Sequence, residues 1–284
     1  LATVNTPTRF TTNKLLSEAL FQGAVTEEKA DYTLNYKGKA NSETVRNTQV
    51  SFYEGSKRAE AATPDEALIE NRTFKGAFDP LTGSQLIDVS AVTIGAKYSD
   101  NKLLSEAFFQ GAATEEKADY TLNYKGDAGA EIVRNTQISF YEGDKRAVQA
   151  GPDDALVLNV TYKDLVANVG ITDYLLDPDF IFATDYRTKL DGVNKLLSEA
   201  YFQGASTEEK SDYTINYKGV AGSEKERNIQ VSFYEGSKRA EAASPDEALI
   251  LNRTFAADPL EVTPITDLLA TVNTSNRFTT NKLL

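Results

Sequence analysis

The residues best placed to do chemistry are acids that recur at fixed places. Asp65-Glu66, Asp153-Asp154 and Asp246-Glu247 each follow a proline. Paired carboxylates in a loop suit a hard cation such as Ca²⁺, which takes six to eight oxygens. One dipeptide supplies too few, and nothing matches the spaced acids of an EF-hand loop. The competing reading is a turn with solvated acids. A second acidic set, Thr26-Glu27-Glu28-Lys29 and its copies, puts two carboxylates side by side on a charged turn. Glycoside hydrolysis needs two carboxyls flanking a sugar bond. These are adjacent, occur three times, and have no Trp in the chain to make a sugar platform.

The chain has no Cys, Met, Trp or His. That excludes disulfides and thiolate sites, most transition-metal ligand sets and the usual general base near neutral pH. No cofactor is expected, Ca²⁺ aside, and no catalysis. The absence of sulfur fits an abundant protein exposed to oxidants outside the cell. Asn71, Asn159 and Asn252 each open an Asn-x-Thr triplet at equivalent positions, and Asn273 opens Asn-Thr-Ser. These are glycan acceptor patterns in a secreted protein. Lys57-Arg58, Lys145-Arg146 and Lys238-Arg239 make basic spots beside a turn, which read as solvated hairpin ends because exposed ion pairs add little stability, the alternative being an orienting contact to an acidic loop of the next unit.

All of these sites recur because the chain is an array. The stretch NKLLSEALFQGAVTEEKADYTLNYKG from Asn13 returns from Asn101 and Asn194, and begins again at Asn281, about 90 residues apart each time. Leu269–Leu284 repeats Leu1–Leu16 with changes only at Ser275 and Asn276, whereas the other leaders diverge. The window reads as an excerpt of a longer polymer of repeats, or as a subunit whose end echoes its beginning. Four segments follow: repeat 1 over 1–88, repeat 2 over 89–181, repeat 3 over 182–268, and a fourth start or donor strand over 269–284.

Within a repeat, Leu15, Leu16, Ala19 and Leu20 sit at helical spacing, with Thr12 as N-cap and Gly23 as stop, and predict a short helix. As a strand, Glu18 would fall on the face of Leu16 and Leu20. Ala30–Lys37 alternates as a strand, with Tyr32, Leu34 and Tyr36 on one face. Thr48–Tyr53 and Ala67–Phe74 read as strands, and Leu86–Lys97 as one or two more. The loop Lys39–Arg46 between the first two is polar and variable, as a solvated tip is.

The expected fold is mainly β: tandem β-sandwich repeats, each with one short helix. It is similar to immunoglobulin-like repeats in large surface proteins, a likeness of fold that carries no ligand or site. The net charge of −12 argues against nucleic acid, and no apolar run approaches the ~20 residues of a membrane helix. The expected function is structural and extracellular: a filament, sheath or surface layer made by head-to-tail self-association, with Leu269–Leu284 as a donor strand. The alternative is an adhesin stalk recognising glycan or a cell surface. Its mark would be exposed aromatics, for which Tyr162, Tyr174, Phe180 and Phe182 are the candidates.

Overall fold

The computed structural model describes residues 14–40, 42–76, 101–164 and 193–256. Repeat 1 forms four strands, β1 (Ser17–Gln22), β2 (Lys29–Lys37), β3 (Thr44–Tyr53) and β4 (Leu68–Lys75). Repeat 2 forms β5 (Leu103–Gln110), β6 (Lys117–Lys125), β7 (Ile132–Tyr141) and β8 (Leu156–Lys163). Repeat 3 forms β9 (Leu196–Gln203), β10 (Lys210–Lys218), β11 (Lys225–Tyr234) and β12 (Leu249–Ala256). Among the described residues, helix is confined to short 3-10 turns such as Glu54–Ser56, Glu142–Asp144 and Glu235–Ser237.

The strands follow one another in chain order in a single antiparallel sheet. The protein is therefore mainly β, but among the described residues no second sheet faces the first. The expected sandwich is replaced by an open meander in which each repeat continues the sheet of the one before. The strand expected at Leu86–Lys97 and the segment 269–284 lie outside the described residues.

The expected helix is also corrected. Leu15–Leu20 and its copies fall in or just before β1, β5 and β9. A strand puts Glu18 on the same face as Leu20, since Glu18 stands opposite Leu34 and Leu20 opposite Tyr32. What makes this tolerable is a hydrogen-bond partner for the carboxylate, because a buried charge must be paired. Tyr36 supplies it, donating from its hydroxyl to Glu18.

β2 keeps the expected alternation, with Tyr32 and Leu34 buried. β3 begins earlier than expected, at Thr44, and buries Thr48, Val50 and Phe52 on one face. Period-two burial of this kind is what one packed sheet face requires.

The chain divides into two compact units. One holds Leu1–Glu116 with Leu122–Val133; the other holds Lys117–Thr121 with Arg134–Leu284. In the first, Tyr32, Leu34, Val50, Phe52, Phe74 and Leu103 form one core. That core crosses from repeat 1 into repeat 2, since Phe74 is on β4 and Leu103 on β5. In the second, Ile138, Phe140, Leu158, Val160, Tyr162 and Leu196 do the same between repeats 2 and 3. A further cluster of Ile215, Ile229, Val231, Phe233 and Phe255 lies within repeat 3. Tyr201 and Tyr217 pack against both clusters of this unit.

Candidate functional site

Each acidic loop is clamped by two lysines. Lys57 donates to the Glu66 carboxylate, Lys145 to Asp154 at 2.7 Å and Lys238 to Glu247 at 2.5 Å. The same carboxylates accept backbone N–H groups of Thr63, Gly151 and Ser244 at 2.7–2.9 Å. The lysine hydrogen bond is the main reason that Glu66, Asp154 and Glu247 are held below the usual carboxylate range. A second lysine, Lys29, Lys117 or Lys210, donates at 2.7 Å to the backbone carbonyl of the same acid. It also lies 4.8–5.0 Å from the ring centroid of Tyr53, Tyr141 or Tyr234, within cation–π range. Asp65, Asp153 and Asp246 are exposed. Among the described residues no three or more acids gather as a metal site. The loop is arranged as a lysine-bound turn.

Among the described residues, the basic spots bind acids of their own repeat. A register shift on β1–β2 pairs Leu20 with Tyr32 and Phe21 with Ala30, leaving Asp31 as an extra residue. Such a bulge re-aims a side chain, and the Asp31 carboxylate accepts from Arg58 at 2.5 Å. Arg239 grips Asp212 with two hydrogen bonds of 2.5–2.6 Å at the equivalent shift on β9–β10. Arg146 and Asp119 make the pair again at 2.5 Å and are nearly inaccessible. Burial pushes Asp119 up in spite of Arg146 beside it.

Asn71, Asn159 and Asn252 lie in mid-strand on β4, β8 and β12. Each accepts a cross-strand hydrogen bond from a serine hydroxyl, Ser51, Ser139 or Ser232, at 2.9–3.0 Å. Asn252 is exposed; Asn71 and Asn159 are half-buried. Asn273 lies outside the described residues. Of the four aromatics that would mark an adhesive surface, Tyr162 is buried in the core. The other three lie outside the described residues.

The richest chemistry lies where one repeat meets the next. On β4 and β5, Arg72 stands opposite Glu106. Its guanidinium lies 2.9 Å from Glu106 and 2.6 Å from Glu70. Arg72 and Glu70 are each 1% exposed and Glu106 is 6%. Tyr124 donates to Glu106, and burial with that contact pushes the phenol up. Burial raises Glu70, Arg72 opposes the rise and Glu106 adds to it. One cation thus holds two carboxylates out of water, and its loss would leave both buried without a counter-charge.

Two further carboxylates tie the junction through the backbone. Glu116, from the Thr-Glu-Glu-Lys turn of repeat 2, accepts the N–H of Leu68 in repeat 1 at 2.8 Å. Glu209 of repeat 3 accepts the N–H of Leu156 in repeat 2 at 2.9 Å. Gly111 sets that turn in repeat 2, with φ +123°, and a Cβ there would come within 2.8 Å of the Glu115 carbonyl oxygen. Glu43, Glu131 and Glu224 accept the N–H of Leu15, Leu103 and Leu196 at 2.8–3.0 Å. These last acids were hidden in the polar loop. The signal was present all the same, since Glu is kept in all three copies while its neighbours change.

The second junction is made with a different centre. Val160 stands opposite Glu199 on β8 and β9. Glu199, 1% exposed, accepts the Tyr217 hydroxyl at 2.5 Å.

These features define a mainly β repeat protein whose repeats join strand to strand through buried carboxylates. The sequence matches no protein-family model and no curated protein at a significant level. Among the described residues no helix is long and apolar enough to cross a membrane.

Proposed function

We propose that this is a structural protein that assembles head to tail into a filament, sheath or surface layer outside the cell. The observation that carries the reading is the repeated junction. Glu116 to Leu68 and Glu209 to Leu156 are the same bond made twice, by the same turn on the same strand start. A contact that recurs without closing is the elementary step of an open polymer. Each repeat hands a strand edge to the next, and the apolar core runs through the join. The lack of sulfur supports an oxidising exterior, and the net charge of −12 supports solubility without nucleic acid. No catalytic role and no cofactor is part of this reading.

Electron microscopy of the purified chain tests it. Regular filaments or sheets are the expected result. A monodisperse, unassembled particle across the accessible concentration range would overturn the reading.

A further inference from the structure

The sheet face turned away from the apolar clusters carries short hydroxyl, methyl and amide side chains. In the first unit one row crosses five strands as Ala19, Thr33, Gln49, Thr73 and Ser105, each opposite the next. In the second unit Gln137, Thr161, Ser198, Asn216 and Asn228 make a like row. None of these residues is buried, and neither row contains an acid. The polar groups bond one another across the strands. Asn35 donates to Asn47, and Asn216 to Asn228, at 2.8 Å. Ser51 makes a like bond to Asn71 at 2.9 Å. Groups already bonded within the sheet lose little when water is removed from above them.

This face is kept more constant than the core. Every position just named holds the same residue in all three repeats. On the inward side of the same strands, Leu20 becomes Phe108 and Tyr201, Val50 becomes Ile138, and Phe74 becomes Tyr162. Glu70 becomes Leu158 and Leu251. A solvated face is normally the freer one, since surface substitutions cost little and core substitutions cost much. The reversal here means that the outward face meets something identical at every repeat. The segments 77–100, 165–192 and 257–280 differ from one another in sequence, so they impose no such constant pattern. The strand ends are charged oppositely. In repeat 1, Glu27, Glu28, Glu54, Glu60 and Asp65 are exposed where β1 turns into β2 and β3 leads to β4. At the other end Lys37, Lys39, Arg46 and Lys75 are exposed. Repeats 2 and 3 keep this split, with Asp127 and Glu226 the exposed acids on their basic ends among the described residues.

We infer that this face packs on the same face of a second copy turned end for end, so that the acidic strand ends of each lie over the basic ends of the other. Short side chains let two sheets approach to about 10 Å, and rows of amides and hydroxyls form dry contacts between facing sheets. The contact is isologous, the same patch serving on both sides. Stacking without the turn would set acid over acid and base over base. The five strands of the first unit present a face of roughly 500 Å², below the ~800 Å² per partner of a stable interface. The contact therefore gains its strength by repetition along an assembled polymer. This rests on the head-to-tail assembly proposed above and names the lateral contact that turns polymers into a layer.

Charges placed on the face of the full chain test it. Gln49→Glu, Gln137→Glu and Gln230→Glu together set a carboxylate in the face of every repeat at unchanged side-chain size. Like charges then meet across the contact, and the concentration at which polymers join laterally is expected to rise by a factor on the order of a hundred. Gln22→Glu, Gln110→Glu and Gln203→Glu add the same net charge at the acidic strand ends, over the basic ends of the other copy, and are expected to leave joining intact. Circular dichroism confirms the fold of both triple variants. In the wild type, added salt is expected to part the layers and leave single filaments, because it screens the paired strand ends. Electron microscopy reads each result. Layers that persist unchanged in the first variant, or wild-type filaments that never join, would overturn this contact and leave head-to-tail assembly standing. Wild-type chains that pair but form no filament, with pairing lost in the first variant, would overturn head-to-tail assembly and leave the contact standing. Retention of unjoined wild type on insoluble cellulose or chitin, lost in the first variant, would give the face to a neutral glycan and overturn the second copy as its occupant.

Discussion

Arg72 and Glu106 come from consecutive repeats, stand opposite each other on adjacent strands, and meet at 2.9 Å almost out of reach of water. The pair makes the boundary between repeats part of the core. Removing the cation strands Glu70 and Glu106 together in a poorly solvated place. Arg72→Val, which copies the residue at Val160, is expected to cost roughly 3–5 kcal/mol, as breaking a buried pair does. Glu70→Leu, which copies Leu158 and Leu251, leaves one arginine with one glutamate and is expected to change stability by less than about 1.5 kcal/mol or to raise it. Urea denaturation of both variants separates the two outcomes. Equal losses would contradict this account of the cluster.

The pH dependence of two glutamates has opposite sign. Glu70 is raised above its usual value near 4.5, chiefly by burial. Its contribution to stability is full below that value and is lost as pH rises through the folded value. Glu70→Gln removes that loss, so the variant gains on the wild type between pH 4 and pH 7. Glu66 is held below 4.5, chiefly by Lys57. Its contribution is present above 4.5 and is lost as pH falls through the folded value. Glu66→Gln is therefore weaker than wild type at pH 7 and converges with it in acid. Denaturation midpoints at pH 3, 4 and 7 check both signs.

Much of the strand content was legible in the residues. ADYTLNYK alternates as a half-buried strand must, and β2 is where that pattern lies. β1 was not legible, because a glutamate on the apolar face argues for a helix until its partners are known. Those partners are Tyr36, Tyr124 or Tyr217 on the next strand, 18 residues on, and, for Glu106, an arginine in the preceding repeat. No local window contains them. The single sheet was hidden for the same reason. Several short strands in about 90 residues satisfy a sandwich equally well, and only the pairing of Phe74 with Leu103 across repeats decides otherwise. The acidic loops were legible as turns, whereas their lysine clamps depend on residues distant in sequence.

The turn that delivers Glu116 depends on Gly111. Its φ of +123° is open to glycine and strained for other residues, and a Cβ would meet backbone at 2.8 Å. Gly111→Ala is expected to destabilise by about 1–3 kcal/mol. The loss has a specific signature. With Glu116 displaced, the Leu68 amide loses its acceptor, and hydrogen exchange there speeds up more than at Val50 in the middle of β3. Uniform acceleration would point to general loosening and against the turn's role.

Alkaline unfolding should be set by the buried phenols. Burial is the largest cause that moves Tyr53 from 10.0 up to about 12 and Tyr213 likewise to about 12. Nearby carboxylates, Glu116 and Asp31 for Tyr53 and Asp212 for Tyr213, push the same way, and an arginine opposes. A raised phenol contributes stability that is complete below pH 10 and is lost as pH rises towards 12, because the unfolded chain ionises first. Tyr53 also donates to the Ala30 carbonyl at 2.7 Å, a bond that ionisation removes. The expected result is a late phenolate absorbance rise that coincides with loss of the far-ultraviolet β signal between pH 10 and 12. Tyr53→Phe keeps the ring beside Lys29 and removes the ionisable hydroxyl, so it should shift the midpoint to higher pH while lowering stability at pH 7 by about 1 kcal/mol for the lost hydrogen bond. A midpoint unchanged in that variant would mean that other groups drive the transition.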